Sequence, residues 1–388
     1  MSRLALALAA LALAGCDDGR MRIADGPPLV PRTGRPPDQL SHLRLFEWDA
    51  GAFRYNDRVV PYDLTTPLFT DYALKERAIY VPEGEAMAYD PAVPFALPVG
   101  SAIVKTFYFP RDLRRPDEDL TLIETRVLVH GQDGWTAWPY VWNAEQTEAF
   151  LRVGGETRAI TFIDAEGSER TASYLVPQRN QCTSCHERNV GPGGAAAMTP
   201  IGPAARYLNR DLDYGAGPVN QLAHFAERGM LSGLPDLGGV PRAYDLTEYE
   251  ARGLDAIAPG ELDFAARSYL DINCAHCHDP RGTQGVTSQL FLHHDSTSAF
   301  NLGVCKRPGS AGAGTGGLTY DLVPGRPDES ILVFRVETTE VGAMMPLLGR
   351  SLRHDRGAAL VRAWVAAMPP VDCNAMEMEM EEEPPPEP

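Results

Sequence analysis

Two pentapeptides decide how the chain is read: Cys182-Thr183-Ser184-Cys185-His186 and Cys274-Ala275-His276-Cys277-His278. C-x-x-C-H is the attachment signal for a c-type haem. Thiols three residues apart lie on one side of a helical turn, where they add to the two haem vinyl groups. The histidine that follows then sits beneath the iron as proximal ligand. The motifs predict two covalently bound haem c groups, one on Cys182 and Cys185, the other on Cys274 and Cys277, with His186 and His278 on iron. Two rival uses of a C-x-x-C pair exist. A thioredoxin-like redox motif wants a βαβ context, which the pattern does not display. A zinc site can be shared between two pairs. Here 88 residues separate Cys185 from Cys274, far beyond a zinc-ribbon spacing, and zinc leaves the histidine after each pair unexplained.

Outward from the second motif, residues 261–273 carry apolar side chains at helical spacing and lead into Cys274. Residues 355–368 repeat such a pattern around Leu360, Val361, Trp364 and Val365. Between them lies Met345-Pro346, 67 residues after His278. A helix entering the motif, a Met-Pro loop and a closing helix with Trp resemble a class I cytochrome c domain. Met345 is the expected distal ligand of the second haem, with Met344 as the neighbouring candidate. A thioether raises the potential relative to bis-histidine ligation. Around the first motif the distal ligand stays open between His224, on a short helix over 220–228, and Met230. Met198, an open iron and a ligand from elsewhere are further candidates.

The chain has seven cysteines in 388 residues. Cys305 and Cys373 remain beyond the motifs and Cys16, and in an exported protein they most simply pair. Two free thiols are the alternative. Export is read from the N-terminus. Arg3 and the ten-residue apolar run Leu4–Leu13 make a signal-peptide pattern too short to span a bilayer. It ends in Leu13-Ala14-Gly15-Cys16, which resembles the lipobox of bacterial lipoproteins. Residues 1–15 are thus expected to be removed, leaving Cys16 acylated and 16–39 as a Pro/Gly-containing tether. The expected location is the bacterial envelope, facing the periplasm and lipid-anchored to either membrane. Formal net charge is −17, which excludes a nucleic-acid binder and points to redox partners with basic docking surfaces.

Residues 40–175 hold no haem motif. Runs at 103–109, 122–129 and 159–163 alternate like strands between Gly, Asp and Pro turns. Trp138, Tyr140 and Trp142 alternate along one strand, as core packing or as an aromatic platform. The expected architecture is multidomain: an N-terminal all-β, sandwich-like domain (40–175), followed by two mostly α-helical cytochrome c-type haem modules (176–255 and 256–374). An acidic, Pro-rich tail follows at 375–388, with the composition of a disordered segment.

Further strings run along the chain: residues 71–77 (DYALKER), 105–107 (KTF), 123–126 (IETR), 200–203 (PIGP), 208–211 (LNRD), 220–222 (NQL), 303–306 (GVCK) and 324–327 (PGRP). With both C-x-x-C-H motifs, they make residues 40–373 resemble a family of two-haem c-type cytochrome lipoproteins of unassigned physiological role. The resemblance implies that the β region and the haem modules work as one unit. It also implies an exported parallel β-helix repeat protein as an envelope partner. The expected function is single-electron transfer between a donor and an acceptor protein, a carrier rather than a catalyst. Two alternatives stand beside it: a di-haem peroxidase-like enzyme using an open first haem, and a docking protein whose β domain binds an envelope partner.

Overall fold

The computed structural model describes residues 19–49, 51–283, 286, 288–309 and 311–375. Cys16, the signal segment and the tail from Met376 onward lie outside the described residues.

The centre of the molecule is a six-stranded antiparallel meander. Its strands are β1 (Val59–Pro61), β2 (Leu74–Tyr80), β3 (Ala102–Pro110), β4 (Leu120–Gly131), β5 (Gly134–Trp142) and β6 (Ala149–Leu151), neighbours in space in chain order. β-branched and aromatic residues dominate β3 to β5, which suits a pleated surface buried on both sides. β4 turns into β5 through Gln132-Asp133, with Gly134 at φ +101°, a conformation that favours glycine. One residue, Ile123, is extra where Phe107 pairs with Glu124 and Tyr108 with Leu122. This bulge re-aims the end of β4.

Strand alternation gives the sheet two faces. On one, Val104, Val127, Val129, Trp138, Tyr140 and Trp142 pack against Met21, Leu40, Phe46 and Trp48. Trp138, Tyr140 and Trp142 are 7%, 0% and 1% exposed, so this aromatic stripe is core. The opposite face carries two apolar clusters. Ile79, Ile103, Leu128 and Ala137 join Cys182, Leu208, Leu222, Phe225, Met230 and Ile272. Phe107, Phe109 and Val141 join Phe162, Tyr174 and Val176 of the hairpin Glu156–Ile163/Glu169–Val176.

The expected fold class is corrected here. Instead of an all-β domain followed by two mostly α-helical haem modules, helix and strand are mixed along the chain and many small sheets are present. Residues 176–255 contain the short helices α1 (Thr183–His186), Ala205–Leu208, α2 (Gln221–Glu227) and Thr247–Arg252 among two- and three-residue strands. Gly and Pro punctuate this stretch too often for longer helices. Helices of one or two turns cannot bury a core by themselves, so the segment packs its apolar side chains on the β-sheet. Leu231–Ser232 even pairs with Met87–Ala88 as a parallel ladder.

The region around the second motif does contain a helix pair. α3 (Leu262–Leu270) runs into a single π-type turn, Asp271–Ala275, that carries Cys274. α4 (Asp355–Ala367) crosses it, burying Leu360, Val361, Trp364 and Val365 against Ala265, Ala266, Tyr269 and Leu270. The Trp364 indole N–H donates to Asp263 at 2.7 Å, which satisfies its polar edge. The chain before α4 is tied to the sheet. The Asp71 carboxylate accepts from the Ser351 amide (2.6 Å), the Ser351 hydroxyl (2.9 Å) and the Leu352 amide (2.8 Å). Arg170 adds an ion pair with Asp355 at 2.7 Å. Among the described residues, no helix is long and apolar enough to cross a membrane.

Candidate functional site

Each motif sits at a point where a helical turn leaves the core. Cys182 ends the short 3-10 turn Arg179–Cys182, and α1 then carries Cys185 and His186. Thr199 exchanges two hydrogen bonds with His186. Its amide donates to the His186 carbonyl at 2.8 Å, and its carbonyl lies 2.9 Å from the imidazole Nδ1. A ring whose Nδ1–H is held by a backbone carbonyl presents Nε2 as the free lone pair, the arrangement of a metal-bound histidine. Burial lowers the His186 pKa to about 4, against the raising effect of the Thr199 carbonyl, so the ring is neutral and able to ligate. In the second motif, burial also lowers the His278 pKa. The His278 Nδ1 is buried without a hydrogen-bond partner.

The fold brings the two motifs together across the 88 residues between them. The Asn189 amide donates to the Arg281 carbonyl at 3.0 Å, and its side chain donates to the Gly282 carbonyl at 3.1 Å. Arg188 pairs with Asp279 at 3.2 Å. The Cys277 thiol lies 3.5 Å from the Ser184 carbonyl. The interaction of the Cys185 and Cys277 thiols pulls the Cys277 pKa down and raises that of Cys185. Burial pushes the Cys182 thiol up, and the Cys274 thiol up to about 12.

Cys305 and Cys373 are joined as a disulfide, with Cα atoms 4.9 Å apart. The free cysteines among the described residues are therefore the four of the motifs. No group of three or more His, Cys, Asp and Glu side chains is gathered as a metal cage among the described residues. A zinc shared by the two pairs needs four ligands around one point. The donor set that is present, two thiols and a neutral imidazole at each motif, fits a c-type haem.

The candidate distal ligands fall in different surroundings. Met345 is half-buried in the loop between the helix Ile331–Glu337 and α4. Its amide donates to the Arg335 carbonyl at 2.8 Å, and its carbonyl accepts from Arg350 at 3.1 Å. Arg335 acts electrostatically on His278, and Arg350 on Cys274, so the loop that bears Met345 is held beside the second motif. Met344 is half-buried next to it. Near the first motif, Met198 pairs with Glu187, the residue after His186. Met230 is 0% exposed within the core shared with Cys182. The His224 ring is stacked on Tyr214, with centroids 3.6 Å apart, and partial burial lowers its pKa.

Three features escape sequence reading. His276, a variable position of its motif, is 6% exposed, has an unpartnered Nδ1, and acts on both His186 and His278. Arg350 is 6% exposed and bonds four main-chain carbonyls. Lys105 stands between Ile103 and Phe107 on one face of β3, a cation at a position where strand alternation expects an apolar residue.

Comparison with known proteins adds no assignment: no family model, no curated protein and no solved structure matches this chain.

Proposed function

We propose that this protein is an exported, lipid-anchored di-haem c-type cytochrome that transfers single electrons between envelope partners. One observation carries the reading: two C-x-x-C-H motifs, far apart in sequence, meet through Asn189–Arg281, Arg188–Asp279 and Cys277–Ser184. Haem supplies a one-electron Fe(III)/Fe(II) couple when bound. The chain's own part is to hold the neutral His186 imidazole at a fixed tautomer, to keep four thiols free for attachment, and to place both motifs side by side. Thr199 does the first for His186. The disulfide does the second by withdrawing the remaining two thiols. Arg335 and Arg350 hold Met345 as the distal residue at the second motif. The acidic surface, at a net charge of −17, favours basic partners and salt-dependent association.

A second reading rests on the first motif. His224 is stacked on Tyr214 and Met230 is enclosed in the core, and no contact singles out either as the distal residue of the first motif. An iron there with an open position suits a peroxidase-like activity, with the buried His276, whose Nδ1 has no hydrogen-bond partner, as the nearby acid–base group. The deciding experiment measures haem content by mass, then spin state and turnover with hydrogen peroxide. Two attached haems, both low-spin and without peroxide turnover, support the carrier. One high-spin haem with enzymatic turnover replaces it with the peroxidase. A protein exported with its four motif thiols free and no haem overturns both.

A further inference from the structure

The sheet face that backs the first motif contains a row of cations. Arg77, Lys105 and Arg126 are direct cross-strand partners on β2, β3 and β4, and Lys75 lies on the same face two residues before Arg77. Like charges placed directly opposite one another destabilise a sheet, and buried charges are normally paired. Here the pairing is incomplete. Arg126 is held by Glu124, at 2.5 and 2.9 Å, and Glu124 also accepts from the Tyr174 hydroxyl at 2.7 Å. Arg77 bonds Asp63 at 2.9 Å, but Asp63 is shared with Arg210 at 3.3 Å. The Arg77 side chain is 4% exposed, yet its Nε and one Nη have no partner. Lys105 has no carboxylate within ion-pair distance among the described residues; its ammonium lies 4.9 Å from the Phe107 ring centre. The Lys75 ammonium donates to the Ala73 carbonyl at 2.7 Å. With Arg210, which shares Asp63, and Asp71, which acts on Lys75, five cations face three carboxylates (Asp63, Asp71 and Glu124), and the excess is about two positive charges.

The row is aimed at the first motif. Ile103 and Leu128, each two residues from a member of the row on the same face, share a core with Cys182. Lys105 and Arg126 both act electrostatically on His186. Burial, reinforced by the neighbouring cations, drives Lys105 well below its usual pKa and Lys75 down to about 7, the signature of cations lacking an anion.

We propose that Arg77, Lys105 and Arg126, with Lys75, form a carboxylate-binding site whose ligand is the pair of propionates of a haem attached at Cys182 and Cys185. This rests on the haem reading above. A haem carries two propionates, which matches the excess charge of the row. The β region, which has no attachment motif, then supplies half of the first haem's site.

The same carboxylate chemistry could come from a free anion, so the test has two arms. In the first, haem content, potentials and urea stability of the intact haem protein are compared for wild type, Lys105→Gln, Lys105→Met and Lys105→Arg. The expected result is two haems throughout, with the midpoint potential of one haem lowered in Lys105→Gln and newly pH-dependent near neutrality, while the other stays put. Lys105→Arg restores both properties, and Lys105→Met lowers the urea midpoint because it removes a paired charge. In the second arm, acetate is titrated into the wild-type protein, with no spectral or potential change expected. Two haems with unchanged potentials in Lys105→Gln overturn the assignment. So does a raised urea midpoint in Lys105→Met, since removing an unpaired buried charge stabilises. Acetate binding that is lost in Lys105→Gln overturns the propionate in favour of a free carboxylate. A chain with no haem overturns the haem reading itself.

Discussion

Replacing Arg350 by methionine tests how the Met345 loop is held. Arg350 is 6% exposed and its guanidinium donates to the carbonyls of Arg335 (3.0 Å), Thr338 (2.8 Å), Met345 (3.1 Å) and Leu352 (3.2 Å). Three acceptors (Thr338, Met345 and Leu352) belong to the segment between the helix Ile331–Glu337 and α4, and the fourth, Arg335, lies in the last turn of that helix. Only a planar fork of donors reaches several carbonyls in such different directions. Bonds to a charged group contribute about 1.5–3 kcal/mol each, so the set carries roughly 6 kcal/mol at the low end. Desolvation of the guanidinium offsets several kcal/mol, and it also holds the Arg350 pKa below its ordinary value. Arg350→Met is therefore expected to destabilise by about 3 kcal/mol, with four carbonyls left to find water. Arg350→Lys keeps the charge and loses the fork, so it recovers less than half of that. Urea unfolding followed by circular dichroism measures the loss. On the proposed haem reading, the long-wavelength charge-transfer absorption of a methionine-ligated ferric haem reports the loop separately. A midpoint for Arg350→Met equal to wild type, with that absorption intact, refutes the clamp. Equal behaviour of Lys and Arg at 350 refutes the argument from fork geometry.

Three other expectations follow from named contacts. Cys305→Ser with Cys373→Ser opens a loop of sequence separation 68, and the chain-entropy estimate for that closure is about 4 kcal/mol of stability, read from urea unfolding of the haem-loaded protein. Burial raises the Asp321 carboxyl to about 6, above its unfolded value, so its contribution to stability is full below about pH 4 and is lost as pH rises through 6. Asp321→Asn is then expected to match wild type at pH 4 and to exceed it at pH 8 by about 1–2 kcal/mol after discounting for partial solvent access; a curve parallel to wild type contradicts this. Asn220 caps α2 by accepting from the amides of Leu222 (3.0 Å) and Ala223 (3.4 Å), and Asn220→Ala should cost about 1 kcal/mol in the same unfolding assay.

Local periodicity made some elements legible. The runs at 103–109, 122–129 and 159–163 lie within β3, β4 and Glu156–Ile163, and the helical patterns before Cys274 and after His354 are α3 and α4. Those segments bury one continuous stripe or both faces, so their pattern reflects their surroundings. The stretch 176–255 misled because its apolar residues are matched to a partner far away in sequence. Leu222, Phe225 and Met230 pack with Ile79 and Ile103 rather than with one another's helices alone. The strings behind the family resemblance were visible as strings and silent as chemistry. The structure places Asp71 on the amides of Ser351 and Leu352, and it places Lys75, Arg77, Lys105 and Arg126 in one row. No local rule connects 75 with 126; only the sheet register does.

That register also bears on the docking alternative. Deleting residues 40–175 to ask whether the β region binds an envelope partner removes Ile79, Phe95, Ile103 and Leu128 from the core that seats Cys182. Each such side chain contributes about 1.5–3 kcal/mol by burial, so their joint loss of about 6–12 kcal/mol is comparable to the whole stability margin of an ordinary domain, about 5–15 kcal/mol. The same cut removes Asp71, which holds the chain ahead of α4, and Gln178, whose neighbours begin the first motif, loses the strand pairing before it. A shortened chain that failed to bind would then report a collapsed first motif rather than a missing contact surface. Point changes at exposed residues of the sheet's outer edge, such as Phe150 at 39% exposure, leave both cores intact and test docking by itself. The β region is built into the first motif's support, and any role in partner recognition has to be carried by the residues it leaves exposed.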